Sequence, residues 1–284
     1  AFERSDNRWY DLKPHPVQLS LLGAVSRGVR FPVVPAGRRS GKTERFKRFL
    51  VDQATSQANG MFFAAAPTVG QAKKIFWDDL KLFTYSNCHP RKPSESELRI
   101  FLPNNSEIHL IGLDNPARIE GVPWTGGGID EFADIKGFAW EAHILPALNT
   151  VTPLNPNYRA WCWLLGVPDG FNHYYDLVKY AETANDPEWE VFHWKSAEIL
   201  PSDVIEAAKR QMSAKQYRQE YEAAFENASG RIYEDYGTAN HTSATIQQHE
   251  ALHWSHDQNF TPLSSCISVV RENALYLLDE IVLT

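Results

Sequence analysis

Cysteine is scarce in this chain. Three residues, Cys88, Cys162 and Cys266, stand far apart with no C-x-x-C pair, which excludes a disulfide scaffold and a zinc ribbon. No apolar run approaches the roughly 18 residues that a membrane-spanning helix requires, so a soluble chain from a reducing compartment is expected. Internal repeats and low-complexity tracts are missing, and the ten histidines include no H-E-x-x-H pattern of the kind that binds zinc. The start, Ala1-Phe2, has neither an initiator Met nor a charged-then-apolar signal pattern, and it reads as a trimmed or processed fragment. Positive charge is not in excess either. With 28 Lys and Arg against 35 Asp and Glu, the net charge is −7, which argues against a surface coated for nonspecific nucleic-acid binding.

What the chain has is length and one basic island. At 284 residues it suggests about two domains, and it can bury about three quarters of its unfolded surface without staples. Arg38, Arg39, Lys42, Arg45, Lys47 and Arg48 crowd one short stretch of an acidic chain. Around them, strand-like and helix-like runs alternate. Val33-Val34 precedes a loop and a helix over 43–54, with Phe46, Leu50 and Val51 at helical spacing. The run 61–66 reads as a buried strand. Thr68 then caps a helix carrying Ala72, Ile75, Phe76, Leu80 and Phe83. Segments 98–102 and 107–113 flank Pro103-Asn104-Asn105-Ser106 and predict a β-hairpin with an exposed tip. Further strand and helix units run from Ile129 to a helix over 138–148, and from 161–165 to a helix over 172–181. After a strand at 189–194 come two helices, 202–212 and 213–225, each begun by a capping serine. The pattern implies an α/β domain with a mainly parallel sheet covered on both faces. A break at 227–230 is followed by three strands in succession, 252–257, 264–270 and 274–283.

Ala36-Gly37-Arg38-Arg39-Ser40-Gly41-Lys42-Thr43 has the form of a P-loop, with Ala36 in place of the first glycine. Such a loop cradles phosphates because Gly37, Ser40 and Gly41 bring backbone N–H groups close and the following helix aims partial positive charge at them. Lys42 would bridge the β- and γ-phosphates of ATP, and Thr43 would ligate Mg²⁺ through its hydroxyl. The plain alternative is a basic helix start with two ordinary glycines. A second acidic element is expected at another strand end. Gly126-Gly127-Gly128-Ile129-Asp130-Glu131 supplies it, with Asp130 placed for Mg²⁺ and Glu131 for the attacking water. Three glycines make a poor strand, so a solvated acidic turn is the competing interpretation. Gln18 could read an adenine edge with its paired donor and acceptor, or be an ordinary helix glutamine.

These features, in order, resemble the large subunit of tailed-phage terminases, the motors that pump DNA into procapsids. The matching residues are Gly37 to Thr43, Ala66-Pro67-Thr68 with Gln71-Ala72, Arg118 to Gly121 ahead of Asp130-Glu131, Gly166-Val167-Pro168-Asp169-Gly170, and a helix of the type S-x-x-x-Y-R-Q-E-Y-x-x-x-F from Ser213 to Phe225. Together they cover nearly the whole chain. The resemblance implies an additional-strand P-loop ATPase over 1–228, a linker over 229–250, and the start of an RNase H-like nuclease over 251–284. It implies a cis-acting arginine, matched by Arg38 or Arg39. Arg118 matches the arginine near the subunit boundary that reaches a neighbour's γ-phosphate, although a surface salt bridge with Glu120 would serve equally. Gly166 to Gly170 matches the segment that couples ATP to DNA, but Val167 and Asp169 stand where a hydroxyl or basic residue is frequent. The implied partners are double-stranded DNA, a portal protein, a small terminase subunit and copies of the chain in a ring, with a monomer in solution and no membrane. The implied location is the host cytoplasm, with transient attachment to a procapsid.

In the tail, Trp254-Ser255-His256-Asp257 resembles the first nuclease strand, with Asp257 as first metal ligand. Cleavage with two Mg²⁺ or Mn²⁺ ions needs several converging carboxylates. The others belong beyond the third strand, so the chain alone is expected not to complete that site, and Asp279 and Glu280 read as a solvated strand end. Two other interpretations share the P-loop. A helicase-like ATPase should carry two such lobes, where this chain has one, and a noncatalytic nucleic-acid-binding or assembly module would carry it as a vestige.

Overall fold

Apolar runs bounded by loops become the strands of a seven-stranded sheet in the first of two compact units, residues 1–228. The computed structural model describes residues 15–85, 91–149, 159–226, 242–257, 263–272 and 274–283. Its strands are β1 (Phe31–Pro35), β2 (Met61–Ala66), β3 (Arg99–Phe101), β4 (Glu107–Gly112), β5 (Gly126–Ile129), β6 (Trp161–Gly166) and β7 (Trp189–Val191). They lie in the order β3-β4-β2-β5-β6-β1-β7, and every neighbouring pair is parallel except β3 with β4. β6 thus separates β1, which leads into the P-loop, from β5, which leads into Asp130. This is the additional strand, and the fold is the mixed α/β, mainly parallel one that the sequence implies.

Period-two alternation sorts the strand residues onto two faces. Val34, Ala64, Trp161, Trp163 and Leu165 face one core with Leu21, Phe46, Leu50, Phe76 and Leu80. Those residues come from α1 (Pro16–Leu22), α2 (Lys42–Ser56) and α3, which runs from Val69–Ala72 through a π segment, Lys73–Trp77, to Asp78–Tyr85. Val33, Phe63, Ala65, Ile129, Cys162 and Leu164 face the other core with Ile144, Leu148, Tyr174 and Val178. These helices are α4 (a π turn, Trp140–Ile144, continued by Leu145–Leu148) and α5 (His173–Thr183). Both core clusters use aromatic rings, and Trp161 and Trp163 are buried packing residues.

The glycine run of β5 has a steric reason. A Cβ on Gly126 would stand 2.1 Å from Trp161, one on Gly127 2.4 Å from Phe63, and one on Gly128 2.4 Å from Phe46. Large rings on the neighbouring elements lie flat over this central strand, and only glycine leaves them room. The solvated acidic turn is therefore not what forms: all four residues of β5 are buried and paired on both sides.

Two local expectations form with added detail, and two need correction. The hairpin forms, with Asn105 at φ 63° and Pro103 and Asn105 exposed as expected, while its other two tip residues turn inward. Asn104 Nδ2 donates to the carbonyls of Ala54, Thr55 and Gln57 at 2.9–3.0 Å, and Ser106 is fully buried. The tip thereby caps the last carbonyls of α2, which lack intrahelical donors. The helix expected from Phe138 forms, with Phe138 O accepting from Ala142 N at 3.0 Å and Phe138 itself 57% exposed at its start. Pro146 has no N–H to donate, and Leu145 N instead bonds back five residues to Trp140 O, which opens the π turn. Helix α6 (Ser202–Gln211) starts from Pro201 with no side-chain cap, whereas Ser213 caps α7 (Ala214–Glu222) by accepting from Gln216 N. Strand β7 is shorter than 189–194, although Trp194 makes an isolated bridge to Ala36.

The second unit, 229–284, contains β8 (His253–Asp257), β9 (Leu263–Arg271) and β10 (Ala274–Leu283), an antiparallel sheet in the order β10-β9-β8. Asp279 and Glu280 lie inside β10, opposite Ile267 and Cys266, and not at its end as expected. The break at 227–230 falls outside the described residues.

Candidate nucleotide site

Between β1 and α2 the chain turns through residues 36–41, and its conformation is fixed largely by backbone bonds to other elements. Ala36 N donates to Gly166 O at 3.1 Å, Gly37 N to Trp194 O at 3.1 Å, and Arg38 N to Glu220 O at 2.6 Å. Ser40 O accepts from Gln18 Nε2 at 3.2 Å and from Trp194 Nε1 at 3.1 Å. Gly37 is required sterically, since a Cβ there would meet Ser196 Oγ at 2.3 Å and Tyr221 O at 2.6 Å. Gly41 is required conformationally, at φ +82°. Ala36 has no positive φ and sits in the bridge to Trp194, so the missing first glycine does not distort the loop.

Two side chains of this turn are buried without a protein partner. Ser40 Oγ is inaccessible and has no hydrogen-bond partner among the described residues. Lys42 is 6% exposed, and no described residue hydrogen-bonds or ion-pairs with its ammonium. The ammonium acts on the Glu131 carboxylate only through space, and the first-turn amides of α2 add partial positive charge with no intrahelical acceptors. Groups so arranged are of the kind that can bind an anion.

Opposite it, Asp130 follows β5 and is 2% exposed. Its Oδ2 accepts from Thr43 Oγ1 at 2.7 Å, across the intervening strand β6, and its Oδ1 accepts from Glu131 N at 3.0 Å. Hydroxyl and carboxylate oxygens so placed form the hard donor pair that Mg²⁺ prefers, and they fit that ion. Glu131 follows directly and adopts a left-handed backbone conformation, φ 52°. Burial first, then the Asp130 charge, push its pKa above the ordinary carboxylate value, and Lys42 and Arg38 pull it back.

The other candidate residues are distributed as follows. Gln18 is 2% exposed, and its amide already accepts from Arg45 Nε (3.0 Å) and His15 N while donating to Ser40 O. It braces the P-loop, and one N–H is all that remains for a base edge. Arg39 is exposed, at φ 58°, with no side-chain hydrogen bond or ion pair among the described residues. Arg38 forms an ion pair with Glu220 of α7. Arg118 does not pair with Glu120: it is held by Asp114 at 2.9 Å, and Glu120 pairs with His143. Val167 is buried, and Asp169 is exposed, where its Oδ1 accepts from Gln219 Nε2 at 3.4 Å. Asp257 ends β8 opposite Ser264, and its side chain lies outside the described residues. Among the described residues no group of three or more His, Cys, Asp or Glu could hold a metal ion. Sequence inspection missed Glu220, Trp194 and Ser196 as builders of the loop; Glu220 was visible only as a letter in the S-x-x-x-Y-R-Q-E-Y helix.

Residues 34–235, from β1 through α7 and beyond, match the family model for the N-terminal part of the terminase large subunit, T4likevirus-type. The chain belongs to the terminase large subunit family. The terminase large subunit of Escherichia phage T5 is 24% identical over 241 residues, covering 81% of this chain and 52% of that protein, so the chain spans about half the length of this relative. Among solved structures, the large terminase of the thermophilic bacteriophage D6E in complex with ADP superposes with a TM-score of 0.63 at 19% identity, covering 94% of this chain and 68% of that one. The large terminase ATPase domain of Thermus phage P74-26 gives 0.60 at 22% identity, over 75% and 94% of the two chains. At these identities the structures establish a shared fold, and this terminase has the additional-strand sheet in common with them.

Proposed function

We propose that this terminase chain hydrolyses ATP to drive double-stranded DNA into a procapsid. The observation that carries the reading is the convergence of Thr43 and Asp130 at 2.7 Å beside a buried Lys42 whose ammonium has no hydrogen-bonded partner among the described residues. A vestigial P-loop would have no reason to keep that arrangement. Lys42 would take the β- and γ-phosphate oxygens together with the amides of Gly41, Lys42 and Thr43, since those of Gly37, Arg38 and Ser40 already donate within the protein. Mg²⁺, held by Thr43 and Asp130, would supply charge neutralisation across those phosphates. Glu131 would orient the attacking water and accept its proton in the ionised state, and Arg38 or Arg39 would meet the charge developing on the transferred group. Arg118, now held by Asp114, would serve a neighbouring copy in a ring. Gln18 stays with the adenine side of the site through its remaining N–H.

Family membership supports the partners: double-stranded DNA, a portal protein, a small terminase subunit and further copies of the chain, in the host cytoplasm. No helix among the described residues is long and apolar enough to cross a membrane. Contacts to DNA would be mainly to phosphates, since packaging must accept any sequence, and hence strongly salt-dependent. The β8-β9-β10 sheet supports the start of an RNase H-like nuclease with Asp257 as a ligand for Mg²⁺ or Mn²⁺. The test is steady-state ATP hydrolysis with and without double-stranded DNA. Turnover lost in Lys42→Ala and stimulated by DNA at low salt is the expected result, and Lys42-independent turnover would refute the proposal.

A further inference from the structure

Resting on the ATPase reading, we infer that Gln18 selects no base: its amide is locked beneath the P-loop as a positioning group for the phosphates, so any preference for adenine over guanine has to come from other residues. Gln18 lies in the first turn of α1 and is buried. Its Oε1 accepts from Arg45 Nε of α2 at 3.0 Å and from His15 N at 3.3 Å, and its Nε2 donates to Ser40 O at 3.2 Å. Arg45 Nε and His15 N can only donate and a carbonyl can only accept, so the three partners together admit one orientation of the amide. His15 is fixed in turn by a 2.6 Å contact between its Nε2 and Glu198. Gly41 lies over the amide, where a Cβ would stand 3.6 Å from Gln18 Nε2.

A glutamine that reads adenine uses both ends of its amide, the oxygen for the N6 amino group and the nitrogen for N7. Here both lone pairs of Oε1 are taken. The one N–H left over can meet only an acceptor, and N7 is an acceptor in adenine and guanine alike. What the amide does instead is hold a carbonyl. Ser40 O accepts from Gln18 Nε2 and, at 3.1 Å, from Trp194 Nε1, so its two lone pairs are filled as well. In a trans peptide the N–H points opposite to the C=O. Pinning Ser40 O therefore aims Gly41 N–H away from Gln18 and Trp194, open to a phosphate oxygen. Lys42 and Thr43 begin α2 directly after that peptide, so the brace sets the start of the phosphate-binding helix.

The test compares Gln18→Ala with the wild-type chain and Lys42→Ala. ATP turnover is measured with double-stranded DNA present, and calorimetry gives the Kd of ADP, of GDP and of magnesium tripolyphosphate, a ligand without a base. Gln18→Ala is expected to weaken all three ligands by about tenfold and to raise KM for ATP by the same factor. Its kcat should stay within about twofold of wild type, because what is removed is phosphate binding common to the ground and transition states. The ratio of ADP to GDP affinity should likewise stay within about twofold. A base-reading glutamine would instead give up roughly five- to 150-fold of that ratio and leave tripolyphosphate unmoved, and either result overturns the inference alone. So does a loss of kcat at unchanged KM, the mark of a smaller folded fraction. If Gln18→Ala fails to fold, Gln18→Met, which keeps the length of the side chain, reads the same ratios. Turnover that does not depend on Lys42 overturns the ATPase reading and the inference with it.

Discussion

Gly128→Ala tests whether the glycine strand exists to admit the rings around it. The new Cβ would stand 2.4 and 2.6 Å from two ring carbons of Phe46, where carbon atoms normally approach to about 3.5 Å, so the ring must retreat by roughly 1 Å. It has nowhere easy to go. Phe46 is fully buried and packs against Phe76 (centroids 5.9 Å apart) and Trp163 (5.8 Å). Overpacking of this kind costs about 1–3 kcal/mol, offset by about 0.4–1 kcal/mol because Ala restricts the unfolded chain. A net loss of about 1–2 kcal/mol lowers Tm by roughly 2–8 °C for a unit of this size. Phe46 is one turn into α2 from Lys42, and Gly128 is two residues before Asp130. The same shift should loosen the Thr43–Asp130 contact and weaken ATP binding. Thermal melts of Gly128→Ala, Phe46→Leu and the double variant, with nucleotide titrations, measure both effects. The double variant should be less destabilised than the sum of the single changes, since Leu vacates the space the methyl group needs. A Gly128→Ala chain that melts like wild type, or strict additivity with Phe46→Leu, would refute the packing argument.

Asn104→Ala should cost about 1–2 kcal/mol in urea unfolding, because the carbonyls of Ala54 and Thr55 lose their donor together while Gln57 O keeps the Ser106 hydroxyl; an unchanged midpoint would mean that water replaces the amide without penalty. Glu131 has its pKa raised by burial and by Asp130, so its ionised form is a burden on the folded state. The sign follows: its contribution to stability is full below the unfolded pKa and is lost as pH rises through the folded one. Glu131→Gln should therefore melt above wild type at neutral pH, with the gap closing as pH falls into the carboxylate range. Turnover should fall on the acid side as Glu131 protonates, and Arg38→Ala should move that acid limb to higher pH by removing a cation that favours the ionised form.

Much of the first unit is legible in the sequence, because its signals are local. Val33-Val34, the P-loop turn and the helical spacing of Phe46, Leu50 and Val51 place β1, the loop and α2 without tertiary knowledge. Thr68 and Ser213 are read correctly as caps because capping is decided within four residues. What eluded the sequence depends on distant partners. Gly126 to Gly128 look unfit for a strand until Trp161, Phe63 and Phe46 are laid over them. Nothing local shows that Asn104, between two exposed tip residues, reaches the end of α2, some 50 residues earlier in the chain. Arg118 has two acids within four residues, and spacing alone cannot say that Asp114 binds it while Glu120 goes to His143. Lys42, Thr43, Asp130 and Glu131 were nameable from motif and order, but the 2.7 Å contact that joins two of them depends on β6 lying between their strands.

The most direct test of the central claim, that this geometry is an ATP-hydrolysing site, separates binding from turnover at Glu131. Equilibrium ATP binding and single-turnover hydrolysis would be measured for the wild-type chain and Glu131→Gln with Mg²⁺ and double-stranded DNA. The account predicts ATP bound at least as tightly by the variant and hydrolysis slowed by about 100-fold or more, the scale of a lost general base. Hydrolysis at the wild-type rate in Glu131→Gln would contradict it.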